Sequence, residues 1–203
     1  MKEPHVIDEL ITTGTPLVED RTTRLHERLV ADAERSGLLD VSYRVVDSPV
    51  GSLLLAATTG GLVRVAFDGE NHDAVLTRLA RDISPRILQS AVRLDGVARQ
   101  LDEYFAHRRR RSELPLDLRL ARGFRRTVLE HLGDIAYGTT ATYAAVASAS
   151  GSPGAVRAVG SACAQNPVPV VVPCHRVVRS DGNPGGYRGG PAAKQALLTL
   201  EAA

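Results

Sequence analysis

The sequence predicts an α+β protein: a small antiparallel β-sheet with flanking helices comes first, and a mostly helical part follows it. Two observations carry that expectation. Three short apolar runs, Val41–Val46, Ser52–Ala57 and Leu62–Phe67, are separated by Ser48-Pro49-Val50-Gly51 and Thr59-Gly60-Gly61, the punctuation of a β-meander. Beyond residue 120 the apolar spacing becomes helical and is broken by Gly/Pro turns.

Taken in order, residues 1–20 contain Gly14, Pro16 and mixed charges without periodicity, so a flexible lead-in is expected. Arg21 to Ser36 has helical spacing through Leu25, Leu29, Val30 and Ala33, closed by Gly37, which makes residues 1–40 a partly helical extension. After the meander, helices are predicted over about residues 73–83 and 92–107. Leu114-Pro115-Leu116-Asp117-Leu118 reads as an extended link, placing a boundary between a first domain at 41–119 and a second at 120–203. Helices are expected there near residues 123–132, 141–149, 155–165 and 192–201. The pair around Ser150-Gly151-Ser152-Pro153-Gly154 has the form of a helix-turn-helix, a motif that alone is weak.

A chain of 203 residues with 43% hydrophobic content can bury one or two modest cores. No apolar run approaches a membrane span and no secretory h-region stands at the N-terminus. Two cysteines make no disulfide framework, so a reducing compartment is expected: cytoplasmic, nucleoid-associated in a bacterium. Net charge is +2, but its distribution is uneven. Residues 120–203 hold eight Lys/Arg against four Asp/Glu, and from Arg108 to Arg126 there are eight arginines and two acids. Such a basic face suits a phosphate backbone, and a solvated linker reads equally well for Arg108 to Arg111.

The most informative stretch is Pro173-Cys174-His175-Arg176-Val177-Val178, entered from the apolar run Val168–Val172. Thiolate is the nucleophilic form of cysteine, and an imidazole beside it can take the proton directly or through one water. A small buried cysteine beside a surface histidine is the default for a lone pair of this kind. Against it stand the scarcity of cysteine and the flanking sequence: Asn166-Pro167-Val168-Pro169 before it, and the glycine-rich Ser180–Gly190 after it.

These motifs in this order, together with Arg157-Ala158-Val159-Gly160 and Gly186-Tyr187-Arg188-Gly189-Gly190, resemble the O6-alkylguanine-DNA alkyltransferases, which repair alkylated guanine. The resemblance is strong from about Arg122 to Glu201, weaker back to about Val41, and absent from residues 1–40. It implies a ribonuclease H-like first domain without chemistry of its own. It also implies a second domain that binds duplex DNA through the minor groove, flips the lesion out and transfers its alkyl group once, irreversibly, to Cys174. His175 matches the base that takes the thiol proton through a water, and Glu201 the carboxylate that polarises it. Asn166 matches a hinge asparagine.

For DNA the resemblance points to the helix-turn-helix residues Thr142, Tyr143, Val156 and Arg157. Arg157 takes the place of an arginine that replaces the extruded base, and Tyr143 of one that crowds the 3′ phosphate and donates to guanine N3. Val177, Tyr187 and Arg188 fall at pocket positions, contacting the base largely through backbone. Arg188 replaces a smaller residue of some relatives, and its bulk is expected to bear on alkyl size. Cys163 reads as small buried filler at the pocket, neither a second acceptor nor a metal ligand. No cofactor and no metal are implied, since residues 1–119 hold no cysteine for a zinc site. The expected partner is double-stranded DNA containing O6-alkylguanine, or less well O4-alkylthymine, bound by a monomer away from any membrane. A lesion-binding module without transfer and a cysteine hydrolase are the competing readings. The first lacks the cysteine in known relatives, and the second has no use for a helix-turn-helix.

Overall fold

A computed structural model describes residues 16–202. The chain divides into two compact units, one ending at Leu39 and one beginning at Asp40. The first is the helix α1 (Pro16–Arg35), which starts five residues before the predicted point because proline's fixed φ suits the first helical turn. Gly37 closes it at φ +65°, with the Leu38 amide returning to the Ala33 carbonyl at 2.8 Å. Leu25 and Leu29 stand exposed on it. The rest of the expected lead-in, residues 1–15, lies outside the described residues.

The second unit opens with β1 (Val41–Val46), β2 (Leu53–Thr58) and β3 (Gly61–Phe67), an antiparallel meander. To it the structure adds β4 (Ile87–Gln89), parallel to β1 and unread in the sequence, giving the order β3-β2-β1-β4. Three residues after Pro85 are too short a run to show a period, so only pairing with β1 reveals the strand. β2 is buried along its whole length, so its alternation serves two cores. Leu54 and Ala56 face α2 (His72–Asp82) through Val75 and Leu79. Leu53, Leu55 and Ala57 face α3 (Asp95–Phe105) and the helices that follow.

Beyond residue 120 come α4 (Phe124–Leu132), β5 (Ala141–Thr142), α5 (Tyr143–Ala149), α6 (Val156–Ala164), β6 (Val177–Val178) and α7 (Gly190–Ala202). Val128, Leu129, Val146, Val159, Val168 and Leu197 belong to the same core cluster as Leu55 and Leu101, so both halves of this unit share one apolar interior. The extended link joins the sheet rather than leaving it: Leu62 donates to Pro115 at 2.8 Å and accepts from Asp117 at 2.9 Å. In the helix-turn-helix, Thr142 caps α5 by accepting from the Ala145 amide at 3.1 Å, and Gly151 makes the turn at φ +74°.

Candidate active site

The segment from α6 to β6 is built around Asn166, which is fully buried. Its Nδ2 donates to the Val172 carbonyl at 2.9 Å and to Cys174 Sγ at 3.1 Å, while its Oδ1 accepts from the Val168 amide at 3.0 Å. One amide thus closes the loop 167–173 and holds the thiol at its end. The loop is tight enough to put Val170 at φ +73°, a strained region for a β-branched residue. From the other half of the unit, the Val65 amide donates to the Pro167 carbonyl at 2.9 Å, and Arg64 reaches the same oxygen. The β3 edge therefore buttresses the loop.

A 3-10 turn, Cys174–Arg176, then buries three chemically active side chains together. His175 Nε2 lies 2.8 Å from Glu201 Oε1. Arg176 donates Nε to Oε2 at 2.8 Å and Nη2 to Oε1 at 2.9 Å, a forked pair, and Nη1 to the Ile135 carbonyl. Glu201 also accepts from the Gly138 amide at 3.3 Å and from Tyr104 Oη at 2.7 Å. Burial alone would raise this carboxyl, but the hydrogen bonds from His175, Arg176 and Tyr104 bring it down to about 2. An ionised Glu201 requires Nε2 to carry the imidazole proton, which leaves Nδ1 bare. Nδ1 is buried and has no hydrogen-bond partner among the described residues. Burial holds His175 below its ordinary value, so it rests neutral and able to accept.

Cys174 is 2% exposed, and burial pushes its thiol up to about 11, with Asn166 and Lys194 pulling the other way. It rests protonated, so its reactivity depends on a base. Lys194, on the buried stripe of α7 with Leu197 and Glu201, donates Nζ to the Val177 carbonyl at 2.7 Å and to the Pro184 carbonyl. It ties the glycine-rich loop to the segment bearing the thiol. β6 pairs in parallel with β5, Ala141 with Val177 and Thr142 with Val178, which fixes the start of α5 against the same segment.

Tyr143, the first residue of α5, lies half-buried against the glycine loop, where a Cβ on Gly185 would stand 3.3 Å from its Oη. Burial raises its hydroxyl, followed by the neighbouring Cys163 and Cys174. Tyr187 meets His175 edge-on, ring centroids 6.4 Å apart, and Phe67 at 5.6 Å. Cys163 is buried on α6, its thiol pushed up to about 12 by that burial. Arg157 and Val156 stand exposed in the first turn of α6.

The family comparisons agree with this arrangement. The sequence pattern described as "6-O-methylguanine DNA methyltransferase, ribonuclease-like domain" matches residues 41–118, and the one described as the DNA binding domain of the same methyltransferase matches residues 123–203. The methylated-DNA–protein-cysteine methyltransferase of Mycolicibacterium paratuberculosis is 40% identical over 161 residues, 79% of this chain and 92% of that protein. The chain belongs to this methyltransferase family. The bifunctional transcriptional activator/DNA repair enzyme Ada of Escherichia coli is 36% identical over 81% of this chain and 46% of its own length. The crystal structure of Mycobacterium tuberculosis OGT in complex with DNA is 36% identical over 79% of this chain and 92% of that one, with a TM-score of 0.67.

Two side chains make contacts that the sequence did not foretell. Arg188 Nε donates to the Ala164 carbonyl at 3.0 Å and its Nη1 pairs with Glu70 at 3.3 Å. Glu70 also takes Arg64, so Arg188 joins the link between the halves. From the first half of the unit, Tyr104 of α3 also reaches Glu201. Among Arg108–Arg111, Arg109 is paired with Glu103 at 2.7 Å, and Arg110 lies 5.7 Å over the Tyr137 ring. The sequence reading left Tyr104, Gly138 and Lys194 without roles and quoted Arg176 without assigning one. Only for Lys194 was there a signal, its place three and seven residues before Leu197 and Glu201 on one helical face. Among the described residues no cluster of His, Cys, Asp and Glu is arranged to hold a metal, and no helix is long and apolar enough to cross a membrane.

Proposed function

We propose that the protein repairs O6-alkylguanine in duplex DNA by moving the alkyl group to Cys174 Sγ, once per molecule. The observation that carries this reading is the chain of buried contacts from Asn166 through Cys174, and from His175 Nε2 to an ionised Glu201, with Nδ1 left bare as a base. In the reaction an S–C bond forms as the C–O6 bond breaks, the alkyl carbon passing in line from oxygen to sulfur. The thiol proton goes through one water to His175 Nδ1. The electron pair of the broken bond stays on guanine, which leaves as an anion and ends protonated at N1. Tyr143 is assigned the donor to guanine N3 that spreads this charge, and Arg157 the side chain that fills the stack behind the flipped nucleotide.

Thr142 and Val156 are assigned to the DNA backbone and groove beside them. The Val177 carbonyl already accepts from Lys194, which leaves its second lone pair for the exocyclic amine of the base. Tyr187 forms the apolar wall and the backbone at Arg188 the donor side. In this reading residues 41–119 support the site, residues 120–203 bind DNA and accept the alkyl group, and the protein acts as a monomer in the cytoplasm. Incubation with a duplex carrying a labelled methyl on guanine O6 tests it. Label should become fixed on the Cys174 peptide in a single turnover and should be lost in Cys174→Ser, which keeps DNA binding. Retention of DNA by the unaltered protein without labelled peptide would establish a binding module instead and overturn the reading.

A further inference from the structure

We propose that Tyr104 is a positioning residue of the transfer relay, fixing Glu201 Oε1 against His175 and setting the pH at which that imidazole becomes a working base. This rests on the reading of Cys174 as alkyl acceptor. Among the described residues that hydrogen-bond Glu201, Tyr104 alone comes from the first half of the unit. It is buried in the shared core and locked by edge-on contacts with Phe105 at 5.2 Å and Tyr137 at 6.1 Å, so its hydroxyl has a fixed aim.

Three donors converge on Glu201 Oε1: Tyr104 at 2.7 Å, His175 at 2.8 Å and Arg176 Nη2 at 2.9 Å. Each takes a share of the same anionic charge, so the share left for an imidazolium depends on the other two. The groups that face His175 are Glu201 and Lys194 from α7, Arg176 and Cys174 from its own turn, and Tyr187 from the glycine loop. Glu201 is further faced by Tyr137. All of these remain in place when only the Tyr104 hydroxyl is removed. The carboxylate then acts more strongly on the imidazolium, His175 holds its proton to higher pH, and the base form is reached later.

The test is single-turnover transfer from an O6-methylguanine duplex across about pH 5 to 9, with the full chain. Tyr104→Phe should move the rising limb of the rate upward by about half to one unit, roughly a three- to tenfold loss on that limb, with DNA affinity unchanged. Tyr137→Phe is the matched control, because its hydroxyl donates to the Leu200 carbonyl at 3.2 Å and not to Glu201; its limb should stay put. 3-Fluorotyrosine at position 104, a stronger donor of nearly equal size, should move the limb the other way. A second readout does not depend on transfer: the ¹⁵N titration of His175 in a Cys174→Ser background, whose midpoint should rise on Tyr104→Phe. An unmoved midpoint and limb, or an equal shift in Tyr137→Phe, would overturn the inference while leaving alkyl transfer standing. A shifted midpoint in a protein that transfers no label would uphold the inference about His175 and sink the reading of Cys174.

Discussion

Replacing Glu201 with glutamine tests the electrostatic centre of the site. The side chains of His175, Glu201 and Arg176 are 0%, 2% and 9% exposed, so the charges on Glu201 and Arg176 neutralise each other away from water. Glutamine keeps the shape but removes the charge, and its amide hydrogens face the Arg176 or Gly138 donors. Breaking one partner of a buried, hydrogen-bonded ion pair costs about 3–5 kcal/mol, because the other charge is left uncompensated. For a chain of this size that lowers Tm by about 6–20 °C. Urea and thermal unfolding read the loss, and single-turnover transfer should fall in parallel, since His175 loses the anion that fixes its tautomer. The double variant Glu201→Gln with Arg176→Met should be less destabilised than the two single changes added together, because the stranded cation is gone. A Glu201→Gln loss below about 1 kcal/mol, or strict additivity in the double variant, would refute the argument that this pair is buried and mutually dependent.

Three further outcomes follow from the same geometry. Asn166→Ala leaves the Val168 amide unpaired in the core, takes from the Val172 carbonyl one of its two donors (the Cys174 amide at 2.8 Å stays) and removes the donor that stabilises a Cys174 thiolate, so unfolding should cost about 1–3 kcal/mol less and transfer should slow; retained stability and rate would contradict the role of the loop. Gly189→Ala would set a Cβ 2.7 Å from the Phe67 ring, an overpacking cost of about 1–3 kcal/mol readable as a lower urea midpoint, and an unchanged midpoint would mean the loop yields freely. Stability should also depend on pH at both ends. His175, held below 6.5, favours the unfolded state once pH falls beneath that value, and Glu201, lowered from 4.5 to about 2, adds to the loss further down. Cys174, raised from 9.0 to about 11, removes stability as pH rises through that interval. Urea midpoints measured across the range should therefore be highest between about pH 6.5 and 9, and a flat profile would refute these assignments.

The meander, the helix-turn-helix and the neighbouring thiol and imidazole were legible in the sequence because each is encoded locally. Turn residues at Ser48–Gly51 and Ser150–Gly154, alternating or helical apolar spacing, and two adjacent reactive side chains need no partner to be recognised. Glu201 could be linked to His175 only through the family motif, as nothing in 26 residues of separation implies a contact of 2.8 Å. Tertiary structure alone decided the rest. Tyr104 meets Glu201 across 97 positions, Arg188 reaches Glu70 and Ala164, and a buried Lys194 clamps two carbonyls. These are pairings between polar groups distant in the chain, made because burial leaves each with no water to satisfy it, and no periodicity of sequence records them.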